Sequence, residues 1–199
     1  MTTKKILAMA SVAIFLFACG GKPVENNDTK EKKDSVIKTE VKKESETVKM
    51  PSEKFVSKEG KFKALFPEEP KHNSEKIDLG TFGKTDLHSF MFETATFVYL
   101  ISYSDYPSKA IKAGTPKTML QNCKNGFVEN LKLNVESESE EKINNNPGIS
   151  FKAKSADYYV IMKDYLVGNR LYQVGIMRSD RYANTEEINA FFGSFELTK

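Results

Sequence analysis

Apolar and polar positions alternate along the second part of the chain with two periods, and each period marks an element. Lys61-Phe62-Lys63-Ala64-Leu65-Phe66 alternates every second residue and is closed by Pro67 and Pro70, which predicts a first strand. Thr85 to Glu93 and Phe97 to Ser104 predict the next two. In the latter, Phe97, Tyr99, Ile101 and Tyr103 alternate with Val98, Leu100 and Ser102, so both faces are largely apolar and the strand is expected to be covered on both sides. The spacing then changes. After Thr115-Pro116, a hydroxyl cap followed by proline at the first helical position, Met119, Leu120, Cys123, Phe127 and Leu131 fall on one helical face.

Val135 to Ile143 returns to strand period, and Asn144-Asn145-Asn146-Pro147-Gly148 reads as a turn. Ile149 to Ser155, Tyr158 to Val167 and Arg170 to Arg178 read as three consecutive antiparallel strands, the last two joined by Gly168-Asn169. Asn184, with Glu187 three residues on, caps a second helix whose buried side is Ile188, Phe191, Phe192 and Phe195. Gly193 stops it, and Ser194 to Thr198 adds a last strand. Strands follow one another locally and βαβ alternation is absent. The predicted fold class is α+β, an antiparallel sheet with two main helices packed on it.

The succession Gly60-Lys61-Phe62 to Phe66-Pro67, Tyr103-Ser104-Asp105-Tyr106-Pro107, Asn146-Pro147-Gly148, Gly168-Asn169-Arg170-Leu171-Tyr172-Gln173-Val174 and Phe192-Gly193-Ser194-Phe195-Glu196-Leu197 resembles the PsbP-like domain. That is the fold of the extrinsic photosystem II subunit and of bacterial DcrB-like lipoproteins. The resemblance spans about residues 52–199. It implies a non-enzymatic accessory or binding protein attached to a larger assembly, and it carries no functional residue over to this chain.

The other end of the chain has a different pattern. Lys4 and Lys5 precede Ile6 to Ala18, 13 residues with Ser11 as the only polar side chain, and then Cys19. The run has the size of a signal h-region and is short of the roughly 20 residues that span a bilayer. Leu16-Phe17-Ala18-Cys19 resembles the bacterial lipobox, with Phe17 standing where a smaller residue is commoner. The resemblance implies cleavage before Cys19 and its conversion to an N-palmitoyl, S-diacylglycerol cysteine, which holds the protein to a membrane by more than one acyl chain. Gly20 rather than Asp after the cysteine points, by the same resemblance, to the outer membrane. A plain secretory signal and an uncleaved N-terminal anchor are the competing readings. From Gly20 to Pro51 the 32 residues hold eight lysines and seven acids and no aromatic residue, too little to bury, so a charged disordered tether is expected. The expected organisation is a signal at 1–18, a lipidated tether at 19–51 and a globular domain at 52–199.

Charge adds little. Without Lys4 and Lys5 the basic side chains number 28 against 27 acidic, which argues for no nucleic-acid partner. With Cys19 assigned to lipid, Cys123 is alone in a helical apolar pattern and reads as a buried structural thiol. His72, expected in a polar loop, and His88, expected in a strand, have no ligand-spaced neighbours, so no metal site is predicted. Glu136, Glu138 and Glu140 are expected on one face of a charged edge strand, with Glu141 beside them. A calcium site or a docking surface for a basic partner is the sharper alternative. Tyr158, Tyr159, Tyr165 and Tyr172 suit half-buried strand packing, or a sugar or lipid pocket. Asp157, Asp164 and Asp180 would have to converge to about 5–9 Å to act as an acid–base pair. No G-x-S-x-G, P-loop or G-x-G-x-x-G is present. No catalytic residue and no cofactor are predicted. The expectation is a lipid-anchored envelope protein that serves a protein partner, with a small-molecule or lipid-binding module as the alternative and a hydrolase behind both.

Overall fold

Long strands with apolar side chains at both parities must be buried between two layers. The computed structural model describes residues 49–199 and arranges them in that way. Cys19, the signal segment and nearly all of the tether lie outside the described residues.

The order of elements is β1 (Phe55–Ser57), β2 (Phe62–Ala64), β3 (Lys71–Asp78), β4 (Lys84–Glu93), β5 (Phe97–Asp105), α1 (Ser108–Lys112), α2 (Pro116–Asn130), β6 (Asn134–Ile143), β7 (Asn146–Lys154), β8 (Tyr159–Val167), β9 (Arg170–Arg178), α3 (Thr185–Phe192) and β10 (Glu196–Leu197). Seven strands form one antiparallel sheet in the order β3-β4-β5-β9-β8-β7-β6. The α+β class and the antiparallel sheet therefore stand. A single sheet does not. The expected first and last strands, β2 and β10, leave the main sheet and pair with each other, and β1 joins on the other side of β2 to give a second sheet β1-β2-β10. Their inward side chains explain the separation. Phe62 and Ala64 are fully buried against Phe90 and Phe195, so β2 lies across the main sheet as a lid rather than beside it as an edge.

Each face of the main sheet has its own core. On one, the lid sheet and α3 cover Phe90, Tyr99, Ile101, Tyr103, Ile161, Tyr172, Val174 and Ile176, and rings dominate: Phe191 of α3 stands edge-on to Tyr99 at 4.8 Å and to Phe66 at 5.5 Å. On the other, α2 lays Phe127 against Phe151 among Leu100, Val160, Met162 and Met177. Gly175 of β9 belongs to this second face, where a Cβ would stand 2.1 Å from Met162 Sδ, so the absence of a side chain admits the methionine.

Local signals act as expected. Thr115 accepts from the Thr118 N–H at 3.1 Å and Pro116 opens α2. Gly168, at φ 63°, takes the first position of the β8–β9 turn, as a II′ turn asks. The β6–β7 turn is shorter than predicted. Asn144 and Asn145, at φ 46° and 66°, make a two-residue turn, and Asn146 already belongs to β7. Three elements escape the pattern: β1, the short α1, and β3, whose residues are mostly exposed and polar.

The start of α3 is tied to the main sheet by charge. Asn184 Oδ1 accepts from the Glu187 N–H at 2.9 Å while Glu187 Oε2 accepts from the Asn184 N–H at 2.7 Å. The same carboxylate receives Arg178 Nη1 of β9 at 2.7 Å and Arg181 Nη1 at 2.8 Å, and Arg178 also donates to Asp180. Arg178 is 1% exposed and Glu187 4%. Burial raises the Glu187 carboxyl, but the Arg181 and Asn184 hydrogen bonds outweigh it and the net shift is downward. Removing one partner from such a network leaves a buried charge uncompensated, which typically costs about 3–5 kcal/mol. Arg178→Met is expected to lower the unfolding free energy from urea melts by that order, and Arg178→Met/Glu187→Leu to recover only part of it, because Glu187 also caps α3 and pairs with Arg181. An unchanged midpoint in the single variant would show that the network does not hold α3.

Candidate functional site

Two groups of polar side chains stand out, one on each face of the main sheet. The first follows from register. Ser89 of β4 lies opposite Ser102 of β5, Ser102 opposite Gln173 of β9, Gln173 opposite Asp164 of β8, Asp164 opposite Ile149 of β7, and Ile149 opposite Glu140 of β6. Paired residues share a face, so these form one row across the sheet beneath α2. Ser102 and Asp164 are fully buried, Ser89 and Gln173 nearly so. Next to Ser102 and Gln173, a cavity of about 10 Å³ is also lined by Ser104, Tyr106 and Cys123. Cys123 Sγ lies 3.9 Å from Tyr106 Oη, in the buried setting expected of it.

Where the row reaches the sheet margin, a groove of about 200 Å³ opens between α2 and the β6–β7 hairpin, lined by Lys117, Leu120, Gln121, Glu140, Pro147 and Ile149. Lys117 pairs with Glu140 at 2.6 Å, and Lys124 pairs with Glu138 deeper under α2. The hydrogen bond from Lys124 holds the Glu138 carboxyl below its usual range.

Asp164 is the exceptional member. Neither carboxyl oxygen has a hydrogen bond of normal geometry, although Gln173 stands directly opposite. Burial pushes its carboxyl up to about 8, with Gln173 opposing the rise and Glu141 adding to it. At neutral pH it is therefore mainly a neutral acid.

The second group lies on the lid face. His72 Nε2 is 3.4 Å from His88 Nδ1. His72 stacks on Phe90 with ring centroids 4.4 Å apart and planes 6° from parallel, and His88 stacks on Tyr103 at 4.7 Å and 17°. Arg170 lies over the Tyr103 ring at 4.4 Å. Its Nε and Nη2 donate to Asp105 at 2.7 and 2.6 Å, and its Nη1 to the Glu59 carbonyl at 2.8 Å. The Arg170 hydrogen bonds lower the Asp105 carboxyl against the effect of burial. Tyr103 Oη is buried without a hydrogen-bond partner, and burial, with the Glu59 charge, pushes its hydroxyl up to about 12.

Several expectations change here. His72 is not in a loop. It belongs to β3, and β3–β4 pairing brings the two histidines together. The three alternate glutamates do not share a face. A register shift between Val135 and Ser137 turns Glu136 toward Lys154 and Tyr182 on the lid face, while Glu138 and Glu140 face α2. β6 is nonetheless the charged margin of the sheet. The tyrosines line no common pocket: Tyr165 and Tyr172 pack on Phe195 in the core, Tyr159 meets Tyr182, and Tyr158 lies on the α2 side. The aspartates are not brought together either. Asp164 lies beneath α2, Asp180 is held by Arg178, whose guanidinium covers Phe97 on the opposite face, and Asp157 is in the β7–β8 turn. The sequence reading missed the buried row. Its one local signal is an acid at the parity of Val160, Met162 and Leu166 in a strand apolar on both faces.

These features define an α+β domain whose seven-stranded antiparallel sheet is covered on both faces and open at both margins. The solution structure of cyanobacterial PsbP (CyanoP) from Synechocystis sp. PCC 6803 is similar over 73% of this chain and 91% of that chain, with 8% identity and a TM-score of 0.49. No protein-family model matches the chain, and no curated protein does.

Asp164 makes stability depend on pH with a definite sign. A carboxyl raised in the folded state binds more protons there than in the unfolded chain between about pH 4 and 8, so its contribution is fully present below that window and is lost as pH rises through it. Asp164→Asn removes the ionisable group and keeps the shape. Thermal melts should show the wild-type midpoint falling from pH 5 to 8 relative to the variant, with the variant about 2 kcal/mol more stable at pH 8. Parallel pH profiles would mean that Asp164 stays charged in the fold.

Proposed function

We propose that this chain is a lipid-anchored cell-envelope protein whose PsbP-like domain acts as a non-enzymatic accessory or binding module for an envelope protein partner. The anchor is Cys19, carrying N-palmitoyl and S-diacylglycerol groups after cleavage behind Ala18, and the membrane is the outer membrane. The charged segment from Gly20 to Pro51 spaces the domain from that membrane.

The observation that carries the partner reading is the pair of sheet margins. β3 and β6 each have a single neighbour in the sheet, and their eight and ten residues are mostly exposed. Such a margin presents unpaired backbone donors and acceptors, to which an extended segment of another protein adds as a further strand. The acids of β6 are paired with Lys117, Lys124, Lys154 and Lys163, so this margin does not repel an added strand through unbalanced like charge. The groove beside α2 favours the second reading, a module for a small or lipidic molecule, although its volume of about 200 Å³ is below the several hundred typical of such sites.

Whole cells carrying photo-crosslinkable residues at Ser74 or Ser139, in the wild type and in Cys19→Ala, test both halves. One stoichiometric envelope protein captured from either margin, and lost or strongly reduced in Cys19→Ala, is the expected result. Absence of acyl groups on Cys19 by mass spectrometry would refute the anchor. Absence of any captured protein at either margin would refute the partner reading and leave the small-molecule module.

A further inference from the structure

The two histidines are the only ones in the chain, are 16 residues apart, and meet nitrogen to nitrogen. Register accounts for the meeting. His72 pairs with Phe90 and His88 with Ser74, so the two imidazoles are diagonal neighbours on one face of the β3–β4 hairpin. Each ring is backed by an aromatic ring, His72 by Phe90 and His88 by Tyr103, which fixes both planes within 19° of each other. Phe90 and Tyr103 are themselves buried, so the backing is part of the core.

We propose that His72 Nε2 and His88 Nδ1 form a bidentate site for a divalent transition-metal ion of the class that imidazole prefers, zinc, copper or nickel. Two imidazole nitrogens bound to one tetrahedral ion at about 2.0–2.1 Å stand about 3.3 Å apart. The two nitrogens, in hydrogen-bond contact at 3.4 Å, already stand near that spacing, and an ion would take the place of the proton they share. Neutral imidazole is the ligand, and zinc, copper and nickel are its usual ions. Arg170, which lies over the Tyr103 ring that backs His88, does not oppose a cation there, because it is paired with Asp105 in a bidentate contact. Among the described residues no group of three or more His, Cys, Asp or Glu is placed to hold a metal ion, so the described domain supplies two ligands here and solvent completes the coordination. His72 is exposed and His88 half-buried, which gives the ion direct access. The site is thus suited to reversible loading rather than to a permanent structural ion, and it is independent of the partner reading above.

Because only two imidazoles exist, a long-range ¹H–¹⁵N spectrum of the untagged full chain in detergent reports on this site alone. Titration with zinc ion is the probe. The expected result is that both rings respond together and saturate at one equivalent, with His72 Nε2 and His88 Nδ1 the nitrogens that shift. His72→Phe keeps a ring on Phe90 and removes the ligand. His72→Phe and His88→Gln should each weaken zinc at least tenfold, the lower end of what loss of an outer-shell partner alone costs a metal site. Circular dichroism unchanged in His72→Phe separates ligand loss from unfolding. A response from one ring only, zinc affinity unchanged in both variants, or no response up to millimolar zinc would each overturn the site.

Discussion

The described domain depends on one constraint: β5, β9 and β8 are buried on both faces. A strand that is covered on one side can alternate, but these three carry buried apolar side chains at both parities, so two separate layers have to be supplied. One layer is a single fifteen-residue helix, α2. The other is composite, made of the lid sheet and α3. Because β1, β2 and β10 are only two or three residues long, backbone pairing alone would not hold them. What holds them is the ring cluster of Phe55, Phe62, Phe66, Phe90, Phe191 and Phe195, together with Arg170 and Tyr172 reaching back to the carbonyls of Glu59 and Gly60. The lid is therefore a consequence of the sheet's second apolar face rather than an independent unit.

The polar exceptions follow from the same constraint. A buried charged side chain on a doubly covered strand has no route to water, so it must find a partner or give up its charge. Arg178 and Glu187 take the first course, and their pairing fixes the angle at which α3 meets the sheet. Asp164 takes the second, kept neutral among its neighbours with only Gln173 alongside. The two solutions lie on opposite faces, which explains why an arginine–carboxylate network and an uncharged acid coexist on adjacent strands without competing.

Much of this was legible in the sequence because it is local. The helix after Thr115-Pro116, the Asn184–Glu187 cap, the Gly168-Asn169 hairpin and the apolar strand at Phe97 are each specified by residues within a few positions of one another. What was not legible is set by pairing over distance. β3 has no apolar alternation because it is a margin with little to bury, so nothing in Lys71–Asp78 marks it as a strand. The lid sheet joins residues near 60 to residues near 196. One extra residue in β6 turns Glu136 away from Glu138, a change that period-two reading cannot detect. The candidate sites belong to this second category: the row through Asp164 exists only across six strands, and the histidine pair only through the β3–β4 register.

The margin strand and the histidine pair are connected physically. If β3 were apolar it would have to be covered, and His72 would be buried with it. If β3 slipped by one residue against β4, His72 would turn to the other face and lose both Phe90 and His88. Register in such a polar strand is weakly specified by hydrophobic pattern, so other contacts have to fix it. The stacking of His72 on Phe90, the Lys76–Asp86 pair at 2.9 Å and the turn at Gly80 and Gly83, with φ of 64° and 92°, do so at three points along the hairpin. The imidazole that would bind an ion is thus also one of the contacts that sets the strand in register.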